Sequence, residues 1–173
     1  MKATQTALIV PIPEAEVVVG RFRASLDRSA SWGVPAHVTV LYPFLPPDRI
    51  DDTVLAAVRD VVAAVPRFDV SLSHVAWFGD TVVYLAPQPD RPFRDLTAAV
   101  WRQFPDAPPY LGAFDDVIPH LTIGHDAARP VLAEAAAAVV AQLPIRAIVD
   151  HVQLIAGTPG QSPWPILREF ALG

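Results

Sequence analysis

The stretch Pro35-Ala-His-Val-Thr-Val-Leu-Tyr-Pro-Phe44 decides how this chain is read. Its centre, His37-Val38-Thr39, returns as His120-Leu121-Thr122, again behind a proline and inside an apolar run. Alternating β-branched and apolar residues predict a strand at each place, and in a strand residues i and i+2 share a face about 7 Å apart. Each signature therefore sets an imidazole beside a hydroxyl. A single copy is most simply a strand histidine satisfied by a neighbour, whereas two copies most of a domain apart point to a shared site.

Working outward from the first signature, Ala7 to Pro13 reads as a strand and Glu14 to about Asp27 as a helix with Val17, Val18, Phe22 and Leu26 on one stripe. Beyond Pro46-Pro47, Asp48 is placed to cap a helix running to about Val65, with Ile50, Val54, Val58, Val61 and Val65 inward. Phe68 to Phe78 alternates as a strand, Gly79-Asp80 is a hairpin signal and Thr81 to Ala86 is the return strand. A helix from about Pro92 to Phe104 and a loop rich in Pro, Gly and aromatics lead to the second signature. Behind it, Pro130 opens an Ala-rich helix, Val131 to Leu143. Ile145 to Ala156 reads as one strand, and Trp164 to Leu172 as a last strand paired with it.

Ser73-His74-Val75-Ala76-Trp77-Phe78 lines up with Asp150-His151-Val152-Gln153-Leu154-Ile155, each after its own signature strand and helix. The expected fold is therefore α+β, a duplicated strand-helix-strand-helix-strand unit with an extra strand at one end. It forms a single domain over 1–173 whose repeats span about 1–79 and 80–173.

A length of 173 residues with 52% apolar and 18% charged side chains suits one folded domain with a real core. There are no cysteines, which excludes disulfides, a thiolate nucleophile and zinc-thiolate sites. The run after Met1-Lys2 is broken by Pro11 and Pro13 and makes a poor signal peptide, and no segment approaches the roughly 20 apolar residues of a membrane span. A cytoplasmic protein with no membrane partner is expected. The net charge of -5 gives no extended surface for gripping nucleic acid through its phosphates. With no sustained heptad or surplus apolar face, a monomer is expected.

The two His-hydrophobic-Thr motifs, and the Tyr42-Pro43-Phe44 that follows the first, resemble the 2H phosphoesterase superfamily, also described as the 2'-5' RNA ligase or LigT-like family. The resemblance extends over nearly the whole chain. It implies two antiparallel-rich lobes around a central cleft, with both motifs facing that cleft. It also implies action on 2',3'-cyclic phosphates or 2'-5' phosphodiesters of nucleotides or RNA ends, with no cofactor. Two imidazoles with ordinary pKa values near 6.5 suit such chemistry, one taking a proton from the nucleophile and the other giving one to the leaving oxygen. His37 and His120 are then the catalytic pair, with His120 expected as base and His37 as acid in opening a cyclic phosphate. Thr39 and Thr122 would donate to the non-bridging phosphate oxygens. Two further outcomes stay open: RNA ligation, which is the reverse reaction, and a nucleotide-binding regulator with little turnover.

Arg168 interrupts the apolar face of Trp164, Ile166, Phe170 and Leu172, so it either meets phosphate in the cleft or snorkels to solvent. Tyr42, Tyr110 and Trp164 are candidates for stacking on a base. His74 and His151 lack a hydroxyl two places on and fit structural hydrogen bonds. His125 lies five residues beyond His120 and so on the other face of a strand, which makes it a rim residue; no metal site is expected.

Overall fold

A short apolar run closed by Pro11 makes the first strand, β1 (Gln5–Pro11). Pro13 then supplies a φ suited to a first helical turn and opens α1 (Pro13–Leu26). The computed structural model describes residues 2–173. One turn of helix, α2 (Arg28–Ser31), precedes the first signature, which opens β2 (His37–Leu41). Asp51 caps α3 (Asp52–Ala63) by accepting from the Val54 N–H at 2.8 Å. Asp48, the expected cap, lies instead in a separate 3-10 turn, Pro47–Arg49. β3 (Phe68–Phe78) and β4 (Val82–Gln88) form the expected hairpin, with Gly79 at a φ of +55°. The second half continues with α4 (Arg91–Gln103), β5 (Leu121–His125), α5 (Arg129–Val140), β6 (Ile145–Val149), β7 (His151–Gly157) and β8 (Ile166–Ala171).

Two four-stranded antiparallel sheets result, in the orders β2-β1-β7-β8 and β5-β4-β3-β6. β1 matches β4 in position, β2 matches β5 and β7 matches β3, so β3 of the first half joins the second sheet while β7 and β8 of the second half join the first. The fold is α+β, two antiparallel lobes around a central cleft. The free edges β2 and β5 lie against each other, which brings the two signatures together.

The stretch expected as one strand from Ile145 to Ala156 is two. β6 buries alternate residues and leaves Arg146 and Ile148 exposed, as a one-sided edge strand does, while β7 is buried between β1 and β8. The chain changes sheets at Asp150.

In α1, Val17 is 88% exposed and the buried residues are Ala15, Val19 and Arg23, so the helix is rotated from the expected stripe. Val18, Phe22 and Leu26 flank the buried line. The main core runs unbroken from α3 and α4 through both sheets to α1 and α5. A minor core of Ala7, Ile9, Val34, Ile155 and Trp164 covers the opposite face of the first sheet, with Trp32 and Tyr42 at its margin. A Cβ on Gly124 would lie 2.7 Å from Leu132 Cδ2 and 3.1 Å from Leu26 Cβ, so glycine there lets α1 and α5 both close on β5. Among the described residues no helix is long and apolar enough to cross a membrane.

Candidate active site

β2 is paired on one side only, by β1, and α4 steadies it where Thr97 Oγ1 donates to the Val40 carbonyl at 2.7 Å. Directly opposed residues of antiparallel strands point to the same face. The pairs Pro11–His37, Ile9–Thr39, Ile9–Gln153 and Gln153–Glu169 therefore put His37 and Thr39 on the face away from the main core. On the second sheet Tyr84 opposes Thr122, and the rings of Phe78 and Tyr84 stand 5.0 and 5.5 Å from that of His120.

Both imidazoles are held alike. His37 Nδ1 lies 2.7 Å from the Pro35 carbonyl oxygen, and His120 Nδ1 lies 2.7 Å from that of Ile118. A carbonyl can only accept, so each Nδ1 carries a hydrogen and each neutral ring keeps its lone pair on Nε2. Burial pushes His37 down to about 4; the Arg23 guanidinium adds to the push, and the Pro35 carbonyl and Asp27 oppose it. Burial also lowers His120, against the Ile118 carbonyl and Asp27, and with a small further push from His125. The two rings are near enough for charge on His120 to act on His37.

Tyr110 sits in a 3-10 turn, Pro109–Gly112, where it and Leu111 adopt left-handed φ values of 50° and 56°. Two such non-glycine residues in a row store strain, and strain of this kind gathers at working sites. Its N–H donates to the Tyr42 carbonyl at 2.7 Å, and burial pushes its phenol above the usual range, with the nearby Thr39 side chain acting the other way. Phe114 meets the Tyr110 ring edge-on at 5.6 Å and is itself exposed, as is Leu111.

The arrangement agrees with what the sequence is related to. The family model described as the 2'-5' RNA ligase superfamily matches residues 11–160. The chain belongs to this superfamily. Its fold is shared with E. coli LigT, whose complex with 3'-AMP aligns with a TM-score of 0.66 at 19% identity over 99% of both chains. A phosphoesterase aligns at 0.61 with 17% identity, again over 99% of both. A third structure, TT0787 of Thermus thermophilus, aligns at 0.59 with 16% identity, over 96% of this chain and 97% of that one. No curated protein matches the sequence.

Within this superfamily fold the other candidate residues fall in different places. Arg168 pairs with Leu154, whose side chain is in the main core, so it projects away from the cleft and is exposed; Glu169, opposite Gln153, is on the cleft face instead. Snorkelling, the second of its two readings, describes it. Trp164 is buried, stacked on Trp32 with centroids 5.8 Å apart and pressed against Gly157; its N–H donates to the Trp32 carbonyl and its Nε1 to that of Thr158. Tyr42 lies tilted against Trp164 and donates to Gln5 Oε1 at 2.5 Å. Both rings belong to the minor core.

A bulge between Leu72 and His74 turns His74 out of the apolar line of Val70 and Leu72 and leaves it exposed. His151 Nδ1 bonds Asp150 Oδ1 at 2.6 Å, and that bond holds the Asp150 carboxyl below its ordinary range. His125 is exposed beside Asp126, as expected of a rim residue. Among the described residues no three His, Cys, Asp or Glu side chains are grouped to hold a metal ion.

Sequence reasoning missed Tyr84 and Phe78, which flank His120, and above all Arg23. Arg23 is 1% exposed and donates from Nε to Asp27 Oδ2 at 3.1 Å and from Nη2 to Ser29 Oγ at 3.1 Å and the Val34 carbonyl at 3.2 Å. Its signal was present in Ala15, Val19 and Arg23, a four-residue spacing that puts an arginine on a buried helical line.

Proposed function

We propose that this protein is a phosphodiesterase that hydrolyses 2',3'-cyclic or 2'-5' phosphodiesters of nucleotides or RNA ends, with His37 and His120 as proton acceptor and donor and no metal taking part. The observation that carries this reading is the shared tautomer. Both rings are pinned through Nδ1–H, so both present Nε2 for proton transfer. The complex of LigT with 3'-AMP supports a nucleotide as ligand. The unbroken main core supports one domain working as a unit.

Burial and the Arg23 charge keep His37 neutral, which suits the base, and His120, without an arginine acting on it, suits the acid. This reverses the division of labour expected from sequence. In opening a cyclic phosphate, water attacks phosphorus as His37 Nε2 takes its proton. The bond from phosphorus to one ribose oxygen then breaks as protonated His120 delivers the proton from Nε2, leaving a phosphomonoester and a free hydroxyl. Thr39 and Thr122 donate to the non-bridging oxygens as negative charge builds on them.

The test is hydrolysis of the four 2',3'-cyclic mononucleotides in chelator by the wild type, His37→Ala and His120→Ala. Turnover should survive the chelator and fall by at least about 10²-fold in each variant. Activity indifferent to both substitutions would sink the assignment. Tight binding of product with no turnover would favour the regulator, and turnover only in the joining direction would favour the ligase.

A further inference from the structure

Each catalytic histidine follows a loop that an arginine from an earlier helix holds by the same handle. Arg23 of α1 donates from Nη2 to the carbonyl of Val34, three residues before His37, at 3.2 Å. Arg94 of α4 donates from Nη1 to the carbonyl of Val117, three residues before His120, at 3.4 Å. The next carbonyl along, Pro35 in one loop and Ile118 in the other, is the one that takes the histidine's Nδ1–H.

Both guanidiniums are braced in the same fashion, by an aspartate one turn away on or beside their own helix. Arg23 Nε donates to Asp27 Oδ2 at 3.1 Å, and Arg94 Nε donates to Asp90 Oδ2 at 2.8 Å. Each also grips a side chain ahead of its histidine: Ser29 Oγ in α2 for Arg23, and Asp116 Oδ1 at 2.7 Å in the loop for Arg94. The first loop has one more tie, since Glu16 Oε2 accepts from the Ala36 N–H at 2.7 Å.

The two arginines do not occupy equivalent places in their helices. Arg23 lies in the last turn of α1 and Arg94 in the first turn of α4. The same contact to the same relative carbonyl is thus reached from two different helix positions, which a chance surface ion pair does not explain. A guanidinium suits the task because its planar fork bonds a carboxylate on one edge while it holds a carbonyl with another N–H.

We infer that Arg23 and Arg94 are a matched pair of positioning residues, each fixing the loop whose next carbonyl locks one histidine as its Nδ1–H tautomer with Nε2 toward the reacting phosphate. The catalytic part of this inference rests on the function proposed above; the tautomer part does not. The two clamps differ in strength by construction. Arg23 is buried and closed by Asp27, Ser29 and Val34, whereas the Arg94 side chain is 35% exposed and its carboxylate partners are open to solvent. The His120 side is therefore the one that can be loosened without unfolding the protein.

The experiment uses the full chain with 15N-labelled imidazoles, as wild type, Arg94→Ala, Arg94→Lys and Arg23→Lys. Long-range 1H–15N spectra near pH 7.5 report the tautomer of each ring. The wild type should show the Nδ1–H form at both His37 and His120. Arg94→Ala should give a mixture at His120 with His37 unchanged, and Arg23→Lys the converse. On a 2',3'-cyclic nucleotide, Arg94→Ala should lower kcat about 10-fold or more with KM within about threefold, because a misaligned donor acts at the transition state rather than in binding. Added guanidinium should restore part of it, and Arg94→Lys should lie between. A His120 that stays wholly Nδ1–H in Arg94→Ala overturns the inference whatever the activity. A tautomer shift in a protein that cleaves no phosphodiester upholds the clamp and removes the proposed reaction.

Discussion

Tyr110 donates its backbone N–H to the carbonyl of Tyr42 at 2.7 Å, so the loop before the second signature is fastened to the chain just after the first. The side chain of the same tyrosine lies near Thr39. One residue thereby spans both halves of the site, and its left-handed φ of 50° is part of how it gets there. Tyr110→Phe keeps the ring, the backbone bond and the edge contact with Phe114 and removes only the hydroxyl that lies near Thr39. We expect kcat/KM to fall about 3- to 10-fold and stability to change by less than about 1 kcal/mol, no more than the net worth of a single hydrogen bond. Steady-state kinetics beside a urea melt check this, and an unchanged kcat/KM would mean that Thr39 is oriented without Tyr110.

The rate should depend on pH in a lopsided way. His37 as base must be neutral, and it is so above about 4. His120 as acid must be protonated, and its pKa lies below the ordinary 6.5. kcat/KM, which reports the free enzyme, should fall on the acid side near 4 and on the alkaline side below 6.5. The profile for kcat should move to higher pH on both limbs, since a bound phosphodiester's negative charge favours imidazolium. An alkaline limb for kcat/KM well above 6.5 would contradict the burial of His120.

Arg168→Ala should leave kcat/KM within about twofold of wild type, because the side chain opposes Leu154 and so points away from the cleft. A loss of tenfold or more would show that β8 turns its other face to the substrate.

What the sequence made legible and what it hid follow from the same geometry. Strands, helices and the paired histidines were readable because each rests on local periodicity or on a motif that occurs twice. The direction in which a strand residue points was not. Register shifts between Leu154 and Ile155, and between Leu72 and His74, exchange the two faces of β8 and β3 partway along. Alternation read through such a bulge joins Ile166 to the line of Arg168 and Phe170, and His74 to that of Val70 and Leu72, although the bulge puts them on opposite faces. Arg23 stayed hidden for another reason. A charged residue ending a buried line looks like the limit of the apolar stripe unless its partners, Asp27, Ser29 and the Val34 carbonyl, are already in place around it.

Gly157 bears on the minor core. A Cβ there would press on Cγ, Cδ1 and Cδ2 of the Trp164 indole closer than real Cβ contacts come, and that ring is fixed by Trp32 on its stacked face and by hydrogen bonds from its N–H and Nε1. The rigid ring cannot yield as a flexible side chain would. Gly157→Ala should cost about 2–3 kcal/mol, toward the upper end for overpacking a core. Gly160→Ala, in the next loop with nothing near its Cβ, should cost only the strain of its φ of +82°. Urea unfolding of both variants checks the difference, and equal losses would show that Trp164 moves aside.

Acid should weaken the fold through the same histidine that is proposed as base. In the unfolded chain His37 titrates near 6.5, whereas in the native protein burial and Arg23 hold it down to about 4. Between those values the unfolded chain binds a proton that the native one does not, so stability is fully present above about 6.5 and is lost as pH falls toward 4. The loss from His37 is on the order of 2–3 kcal/mol, and His120 adds to it in the same direction. His37→Gln removes the titration while keeping a polar side chain for the Pro35 carbonyl, so its stability should fall less steeply over that range by about the same amount. Urea melts from about pH 7 to about pH 4.5 measure both slopes. If the wild type grew more stable on acidification, His37 would have to be charged in the native state, and its proposed role as a neutral base would go with it.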